Sequence, residues 1–350
     1  MGLPCGTLNE TYKQDMAIVR TRLQWGLLLV FLVLLFLLPK FLNDYLLSII
    51  NGVAIWLIAV FGLNLLTGYC GQINLGQAAF MAVGGYTSAI LATRFGLSFW
   101  VVLPASAVVA GLVGMLFGLP ALRVKGFYLA MTTLAAQFII TWVIIHGGDI
   151  TQRTYGISLP RPNIFGFAFN NETRYFYLII PFALLMGFFA RNLARTRVGR
   201  AFVAIRDNDL AAEVMGVNLF YYKTLAFVIC AAYAGVAGSL WTYYLGVAHY
   251  EHYALMDSVW MLGMLIVGGM GSTMGVVFGT IFIRGLNEAV TYGSSVLSVT
   301  VPSMAGSAGA SLGLVTLGLV IILFLIFEPR GINHRWEITK HTYRIFPFSY

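Results

Sequence analysis

The sequence predicts an all-α, polytopic integral membrane protein: a bundle of about 8 to 10 transmembrane helices with broken or re-entrant elements. Of its 350 residues, 59% are hydrophobic and only 10% are charged, whereas a soluble domain carries about 25% charged residues. Asp and Glu are also absent from residues 45–148, 173–206 and 289–327. Stretches without carboxylates are typical of hydrocarbon-facing helices and the short turns between them.

Apolar runs of the length of a membrane span place the individual helices. The candidates are residues 23–42, 45–66, 72–93, 97–118, 126–146, 175–190, 224–246, 258–284 and 309–327. The first contains the run from Trp25 to Leu38, which is short for a span and ends at Pro39. Residues 288–309 are rich in Ser, Gly and Thr and are not assigned to a span.

The distribution of Lys and Arg predicts the orientation, because short cytoplasmic loops are enriched in both. With residues 191–223 inside, both termini are expected in the cytoplasm, which requires an outward crossing between residues 271 and 308. Since glycines interrupt that span, we expect a broken or re-entrant element there. The predicted domains are a cytoplasmic N-terminal segment (1–22), a transmembrane domain (23–327) that contains the cytoplasmic segment 191–223, and a cytoplasmic tail (328–350). The net charge of +8 is interpreted as a topology signal and not as nucleic-acid binding.

A polar segment from Arg206 to Gly216, here called the acidic segment, separates two apolar regions. Asp207 or Asn208 can cap the start of a short helix, and Gly216 can end it. Asp209 complements the positive end of the helix dipole. We expect this helix to dock a soluble partner, and an ordinary solvated loop helix is the alternative. The docking candidates are Arg206, Asp207, Asn208, Asp209, Leu210, Ala211, Ala212, Glu213 and Gly216.

Several short stretches match catalytic or metal-binding motifs, but their surroundings do not fit those functions. We therefore predict no catalytic residue and no metal site. The Gly309–Gly313 stretch matches the hydrolase nucleophile pattern around Ser311, but it opens an apolar helix and does not join a strand to a helix. His249, Glu251 and His252 have no further ligand at suitable spacing. The glycines after Val267 lack the Lys and the Ser or Thr of a phosphate loop, so the chain is not expected to hydrolyse nucleotide.

Glycines at four-residue spacing indicate close helix packing, because small residues on one face let two backbones approach. The packing candidates are Gly114, Gly118, Gly271, Gly275 and Gly279.

The near absence of carboxylates from the predicted spans bears on the energy source, since ion-coupled carriers usually place ionisable groups there. Glu288 is expected at the end of a helix. Energy for any vectorial work is therefore expected to come from outside this chain.

Uncharged polar residues in or beside the spans can be interpreted in two ways. They can line a translocation pathway, offering hydrogen bonds without a fixed charge, or they can bind neighbouring helices. Gln72, Asn74 and Gln77 are favoured for the pathway because Gly71 and Gly76 suggest a broken helix beside them. The full candidate set is Asn64, Gln72, Asn74, Gln77, Thr132, Thr133 and Gln137.

Six sequence blocks in order resemble one family over residues 50–332. Residues 68–80 read GYCGQINLGQAAF, and residues 126–134 read GFYLAMTTL. The third block runs from Arg197 to Val217 and contains the acidic segment. The last three, residues 222–227, 268–272 and 328–331, read YKTLAF, GGMGS and EPRG. Together they resemble the permease subunits of ABC importers for branched-chain amino acids, of the LivM type.

The resemblance implies a multi-pass permease of a bacterial or archaeal cell (inner) membrane that forms half of a translocation pathway. Its implied partners are a second related permease, two cytoplasmic ATP-binding subunits and an extracytoplasmic solute-binding protein, with lipid around the bundle. ATP and Mg would be bound by the ATPases, and no cofactor by this chain. The acidic segment would be the coupling helix, although Leu210 stands where related importers carry Glu.

The solute implied by the resemblance is a branched-chain or other hydrophobic amino acid. Related permeases for urea, amides, sugars or nucleosides remain an alternative, as does a self-sufficient secondary carrier or channel.

Overall fold

Apolar helices form most of the chain, as the composition predicts. The computed structural model describes residues 22–121, 126–164, 167–169, 171–300, 308–328 and 330–345. The first seven helices are α1 (Arg22–Leu37), α2 (Asp44–Leu63), α3 (Gln77–Arg94), α4 (Phe99–Ala121), α5 (Phe127–His146), α6 (Glu172–Arg195) and α7 (Arg197–Asp207). They are followed by α8 (Asp209–Val214), α9 (Leu219–Leu245), α10 (Leu255–Gly268), α11 (Thr273–Thr300), α12 (Ala308–Phe327) and α13 (Ile332–Ile345).

Five helical stretches in the described ranges are long and apolar enough to cross a membrane. They are Asp44–Tyr69, Phe99–Pro120, Phe127–His146, Glu172–Arg195 and Leu219–Leu245. Shorter apolar helices cover Trp25–Lys40 and Gly318–Phe327. The predicted fold class, an all-α polytopic membrane bundle, is therefore confirmed.

Helix α9 lies at the centre of the bundle, in contact with α2, α3 and α4. Its buried face carries small residues, among them Ala231, Ala234 and Ala237, all 0% exposed. Small side chains let neighbouring backbones come close, which stabilises helix pairs where no hydrophobic effect drives them together. The centre of the bundle is held by this close packing.

Two helices are interrupted inside the bundle. Helix α2 ends in a π-helical turn at Asn64–Tyr69, and an extended segment leads to α3. The helix predicted at 72–93 therefore begins later, at Gln77, because Asn74 Oδ1 accepts the Gly76 amide hydrogen and turns the chain there. The predicted span 258–284 consists of α10 and α11, separated at residues 269–272.

The break between α10 and α11 fits the predicted broken element. With 14 residues, α10 extends about 21 Å at ~1.5 Å per residue, less than the ~30 Å of a bilayer core. Glu288 was expected at a helix end, and this prediction is wrong. It lies well inside α11, which continues to Thr300 and covers the first part of the unassigned stretch. Hydropathy locates apolar runs and does not detect a helix that continues through polar residues.

Short strands occur at the end of the bundle opposite α7 and α8. Strand β1 (Ile157–Ser158) pairs antiparallel with β4 (Val247–Ala248), and β2 (Asn163–Ile164) pairs with β3 (Phe167–Ala168). They close the loops after α5 and α9. The predicted N-terminal segment 1–22 lies outside the described residues except for Arg22, and so do the last five residues of the predicted tail.

Candidate functional site

The acidic segment folds as the end of α7, a cap and the short helix α8. Asn208 is the capping residue: its backbone is extended and its Oδ1 accepts a hydrogen bond of 3.1 Å from Ala211 N. Gly216 ends the helix at a φ of +85°, a conformation that glycine adopts without steric cost. Local residue preferences thus account for both ends of this helix.

The two faces of α8 have opposite environments. Ala212 is 4% exposed and packs into a cluster with Phe202, Ile205 and Phe227. The apolar side chains on the other side contact little protein: their exposed fractions are 68% for Leu210, 86% for Val214 and 83% for Met215. Exposed apolar side chains grouped together on a polar segment mark an interaction surface.

An ion pair fixes α8 to α9. The Lys223 ammonium lies 2.9 Å from Asp209 Oδ2, and the lysine side chain is only 6% exposed. A buried ammonium is costly unless it is paired and hydrogen-bonded. Asp209 therefore stabilises the start of α8 in two ways, by pairing with Lys223 and by complementing the helix dipole.

Arg206 connects the acidic segment to the end of α2. Its Nη1 donates a 3.0 Å hydrogen bond to the Gly68 carbonyl, and its Nε and Nη2 bind Asp207 Oδ1. Gly71 and Gly271 flank the side chain closely. A Cβ on Gly71 would lie 2.9 Å from Arg206 Cγ, and a Cβ on Gly271 would lie 3.1 Å from Arg206 Nη1. The guanidinium thus occupies a slot lined by two glycines.

The slot continues to the break between α10 and α11. Asn64 Oδ1 accepts a 2.9 Å hydrogen bond from Gly271 N, and its Nδ2 donates to the Ser272 carbonyl. These bonds satisfy backbone groups that the break leaves without helical partners. A continuous set of contacts therefore runs from Asp207 through Arg206 and Gly68 to the broken helix.

A cavity of about 620 Å³ opens beside Arg206. Its walls come from the end of α2, from the α10–α11 break and from α13, which contributes Asn333, His334 and Glu337. The C-terminal helix α13 therefore lies at the same end of the bundle as the acidic segment. Basic and acidic side chains, among them Arg206 and Glu337, line this cavity beside the broken helices.

The polar candidates Gln137 and Thr133 surround the N-terminus of α3. Gln137 Oε1 accepts a 2.8 Å hydrogen bond from Ala79 N, and its Nε2 donates to the Tyr253 carbonyl. Thr133 Oγ1 accepts from Leu75 N at 3.0 Å. A helix that starts inside the bundle leaves backbone N–H groups unpaired. Gln137 of α5 and Ser258 of α10 accept hydrogen bonds from two of them, Ala79 N and Ala78 N.

A second group of buried amides lies behind this helix start. Gln77 Nε2 donates to the Ala59 carbonyl at 2.9 Å, and its Oε1 accepts from Asn74 Nδ2 and Cys230 Sγ. Asn64, Asn74, Gln77, Thr133 and Gln137 are all at most 3% exposed. Gln72 and Thr132 are half-buried. In this conformation the buried members hydrogen-bond within the chain, and the pathway interpretation stays a prediction.

The predicted packing glycines lie at close helix contacts. Gly114 and Gly118 of α4 pack against Ala231 and Phe227 of α9. Gly275 and Gly279 of α11 pack against the Gly268 backbone. Gly271 lies in the break, at a φ of +79°, and not on a helix face.

One charged residue inside the bundle escaped the sequence analysis. Arg284, on α11, lies over the Trp56 ring with its guanidinium carbon 4.9 Å from the ring centre. The sequence-based prediction of the energy source rested on carboxylates in the spans, although a basic residue in an apolar stretch is equally informative. Arg284 is the only Lys or Arg between Lys223 and Arg330.

Metal ligands do not converge in the described ranges: no group of three or more His, Cys, Asp or Glu side chains is placed to hold an ion.

Comparison with known proteins gives consistent matches. Residues 45–325 match the family model described as "Branched-chain amino acid transport system / permease component". The high-affinity branched-chain amino acid transport system permease proteins LivM of Salmonella typhimurium and Escherichia coli are each 30% identical over 302 residues. These alignments cover 79% of this chain and 67% of each relative.

An archaeal relative matches at lower identity. The probable branched-chain amino acid transport permease protein LivM of Methanocaldococcus jannaschii is 23% identical over 329 residues, covering 81% of this chain and 93% of the relative. No solved structure matches significantly.

Proposed function

Because this chain belongs to the family of branched-chain amino acid transport permease components, we propose that it works as half of a translocation pathway driven by separate ATPases. It is a permease subunit of an ABC importer. The proposed contact with the ATPases is the acidic segment. The proposed partners are a second related permease, two cytoplasmic ATP-binding subunits that carry ATP and Mg, and an extracytoplasmic solute-binding protein.

The observation that carries this proposal is the combination of a firmly held helix with an exposed apolar face. Helix α8 is attached to the bundle through Lys223 and Arg206. Leu210, Val214 and Met215 point away from the bundle. A helix fixed to its own subunit can transmit a rigid-body displacement of a docked partner, whereas a loosely held loop would absorb it.

Charge and position support a cytoplasmic location for this end of the bundle. Arg191, Arg195, Arg197 and Arg200 all lie close to the acidic segment in sequence, and short cytoplasmic loops are enriched in such residues. Helix α13 lies at the same end. We therefore propose a bacterial or archaeal inner-membrane protein with a cytoplasmic acidic segment and C-terminus.

The departure from the broader importer motif changes the expected docking chemistry. Leu210 replaces the first Glu of that motif and is 68% exposed. The nearby acid Asp209 is engaged by Lys223. We therefore propose that the ATPase cleft receives mainly apolar contacts from Leu210 and Val214, with Glu213 as the exposed charge.

The proposed solute is a branched-chain or other hydrophobic amino acid, as the names of the relatives suggest. The proposed energy source lies outside the chain, in the ATP-binding subunits. No nucleotide site of its own is proposed for this permease.

Charge substitution on the exposed face tests the coupling role. In Val214→Glu and Met215→Glu, an exposed side chain becomes acidic while the buried anchors stay intact, so the bundle should fold normally. We expect the ATPases to stop co-purifying with the permease and ATP-dependent uptake of labelled leucine into vesicles to be lost. Size-exclusion chromatography of the variants checks folding.

Tyr155→Glu is the matched control. Tyr155 is 88% exposed but lies at the opposite end of the bundle, so ATPase co-purification should be unchanged. Uptake that persists in Val214→Glu with the same ATP dependence would contradict the proposal. Uptake without any ATPase subunit would favour a self-sufficient carrier.

A further inference from the structure

The seam between α2 and α11 holds a guanidinium group inside the bundle. Arg284 extends from α11 onto α2, where its Nη2 lies 3.4 Å from the position that a Cβ on Gly52 would occupy. Its guanidinium covers the Trp56 ring. Gly52 is eight residues into α2, which places this group about 12 Å along the helix at ~1.5 Å per residue.

Unpaired polar atoms are concentrated on this seam. Within the described ranges six buried side-chain polar atoms have no hydrogen-bond partner, and four are Asn51 Oδ1, Trp56 Nε1, Thr280 Oγ1 and Arg284 Nε. Asn51 and Thr280 are 0% exposed and Trp56 is 6% exposed. Native proteins pair nearly all such groups, so a cluster of unpaired ones needs an explanation.

Carboxylates flank Arg284 without forming a close ion pair with it. Asp257 and Glu288 interact with the guanidinium electrostatically. Asp257 accepts a 2.9 Å hydrogen bond from Ala254 N at the start of α10, and Glu288 accepts one of 3.4 Å from the Tyr45 hydroxyl. Each carboxylate thus has another protein partner, and the guanidinium keeps unused hydrogen-bond donors.

The neighbouring acid Glu172 is also engaged elsewhere. Its Oε2 accepts hydrogen bonds from Asn51 Nδ2 at 3.0 Å and from the Tyr244 hydroxyl at 2.9 Å. Glu172 therefore pairs with the Asn51 amide nitrogen, while Asn51 Oδ1 stays unpaired. It does not form a bidentate pair with Arg284. An arginine held at membrane depth is expensive and usually serves a function.

We propose that Arg284 and Trp56 bind the carboxylate of the transported amino acid, with Asp257 and Glu288 facing its ammonium group. A guanidinium binds a carboxylate through two parallel hydrogen bonds, and the unpaired Arg284 Nε is one of the donors required. The indole N–H of Trp56 supplies a further donor. The inference rests on the proposed function, because it assigns the site to the amino-acid solute.

Ligand competition on the complete importer in nanodiscs tests the carboxylate site. Binding of labelled leucine is measured without the binding protein, with 4-methylpentanoate and leucinamide as competitors. The first keeps the carboxylate and lacks the ammonium group, and the second has the reverse. We expect 4-methylpentanoate to compete with leucine in the unaltered importer. In Arg284→Gln its apparent affinity as a competitor should fall at least tenfold. Arg284→Lys keeps the positive charge, so the competitor should retain part of its affinity.

Uptake in proteoliposomes supplies the second readout. Arg284→Gln should lower leucine uptake at saturating loaded binding protein, while ATPase stimulation by that protein persists. Arg94→Gln is the control, since Arg94 is exposed at the end of α3 and should behave like the unaltered chain. A structural role alone would lower assembly without changing the choice of competitor.

Each other outcome overturns a defined part of the inference. Normal binding and uptake in Arg284→Gln would overturn the carboxylate site and leave the proposed function standing. Dissociation of the two permeases in Arg284→Gln, with unchanged competition in Arg284→Lys, would assign the guanidinium to a partner carboxylate and overturn the solute site. Failure of the unaltered importer to take up leucine would contradict the proposed function itself.

Discussion

Arg206 Nη1 donates a 3.0 Å hydrogen bond to the carbonyl oxygen of Gly68, and this contact joins the acidic segment to the end of α2. The same guanidinium binds Asp207 through two further nitrogens. Asn64, one turn before Gly68, binds the α10–α11 break, so a chain of hydrogen bonds connects the acidic segment with two broken helices.

Replacing Arg206 should weaken coupling more than assembly. In Arg206→Gln the charge-assisted hydrogen bond to Gly68 is lost, and such bonds contribute ~1.5–3 kcal/mol. We expect the ATPases to remain bound, because Leu210 and Val214 are unchanged. The Arg206 side chain is 39% exposed, so solvent screening reduces the contribution of this hydrogen bond. Uptake per ATP hydrolysed should therefore fall by up to about tenfold, the change that ~1.4 kcal/mol produces. Both rates are measured in proteoliposomes.

Arg197→Gln is the control for this prediction. Arg197 is an exposed arginine at the start of the same helix α7, so its loss removes equal charge without touching Gly68. Equal coupling ratios in the two variants would show that the Arg206 contact does not transmit force.

Substitutions of Lys223 and Asp209, which form an ion pair, should have non-additive effects on stability. Asp209→Asn leaves a nearly buried ammonium without its counter-ion, and we expect a loss of ~1–3 kcal/mol in stability. The larger losses of stability that follow when a fully buried ion pair is broken are not expected, because the Asp209 side chain is 26% exposed. Adding Lys223→Met should recover part of the loss, since the unpaired charge is then removed.

Thermal unfolding of the purified permease in detergent measures this cycle across the two single variants and the double variant. Losses that simply add in the double variant would mean that the two side chains do not stabilise each other.

Two glycines of α11 should respond differently to one added methyl group. A Cβ on Gly279 would lie 2.7 Å from Gly268 N, which is backbone and cannot move aside. Gly279→Ala should therefore destabilise the protein by ~1–3 kcal/mol. Gly293 has no atom within 4 Å of such a Cβ, so Gly293→Ala should be neutral or stabilise by up to ~1 kcal/mol. Thermal unfolding compares them, and equal shifts would contradict close packing at Gly279.

Local patterns in the sequence predicted much of this structure. Hydropathy identified the apolar helices, and the capping residues Asn208 and Gly216 defined α8, because both features depend on near neighbours in the chain. The glycines before Ser272 also indicated the broken helix. These features need no knowledge of which helices pack together.

Long-range partners could not be predicted in the same way. Lys223 pairs with a residue 14 positions away and Arg206 with one 138 positions away, and only the packed bundle brings them together. Gln137 likewise meets Tyr253 across 116 positions. Arg284 differs from these residues, because its isolation between Lys223 and Arg330 in an apolar part of the chain is visible in the sequence alone.

The buried amide Gln137 separates the packing and pathway interpretations of the polar residues. Gln137→Leu leaves Ala79 N and the Tyr253 carbonyl without their partners, and each unpaired buried group costs ~1–3 kcal/mol. Packing therefore predicts a clear loss of thermal stability, with uptake falling in proportion to folded protein. Thr132→Val is the control, because Thr132 Oγ1 bonds only to Leu129 of its own helix and stability should change by less than ~0.5 kcal/mol. Reduced uptake by stable, fully assembled Gln137→Leu would instead place this side chain on the solute pathway.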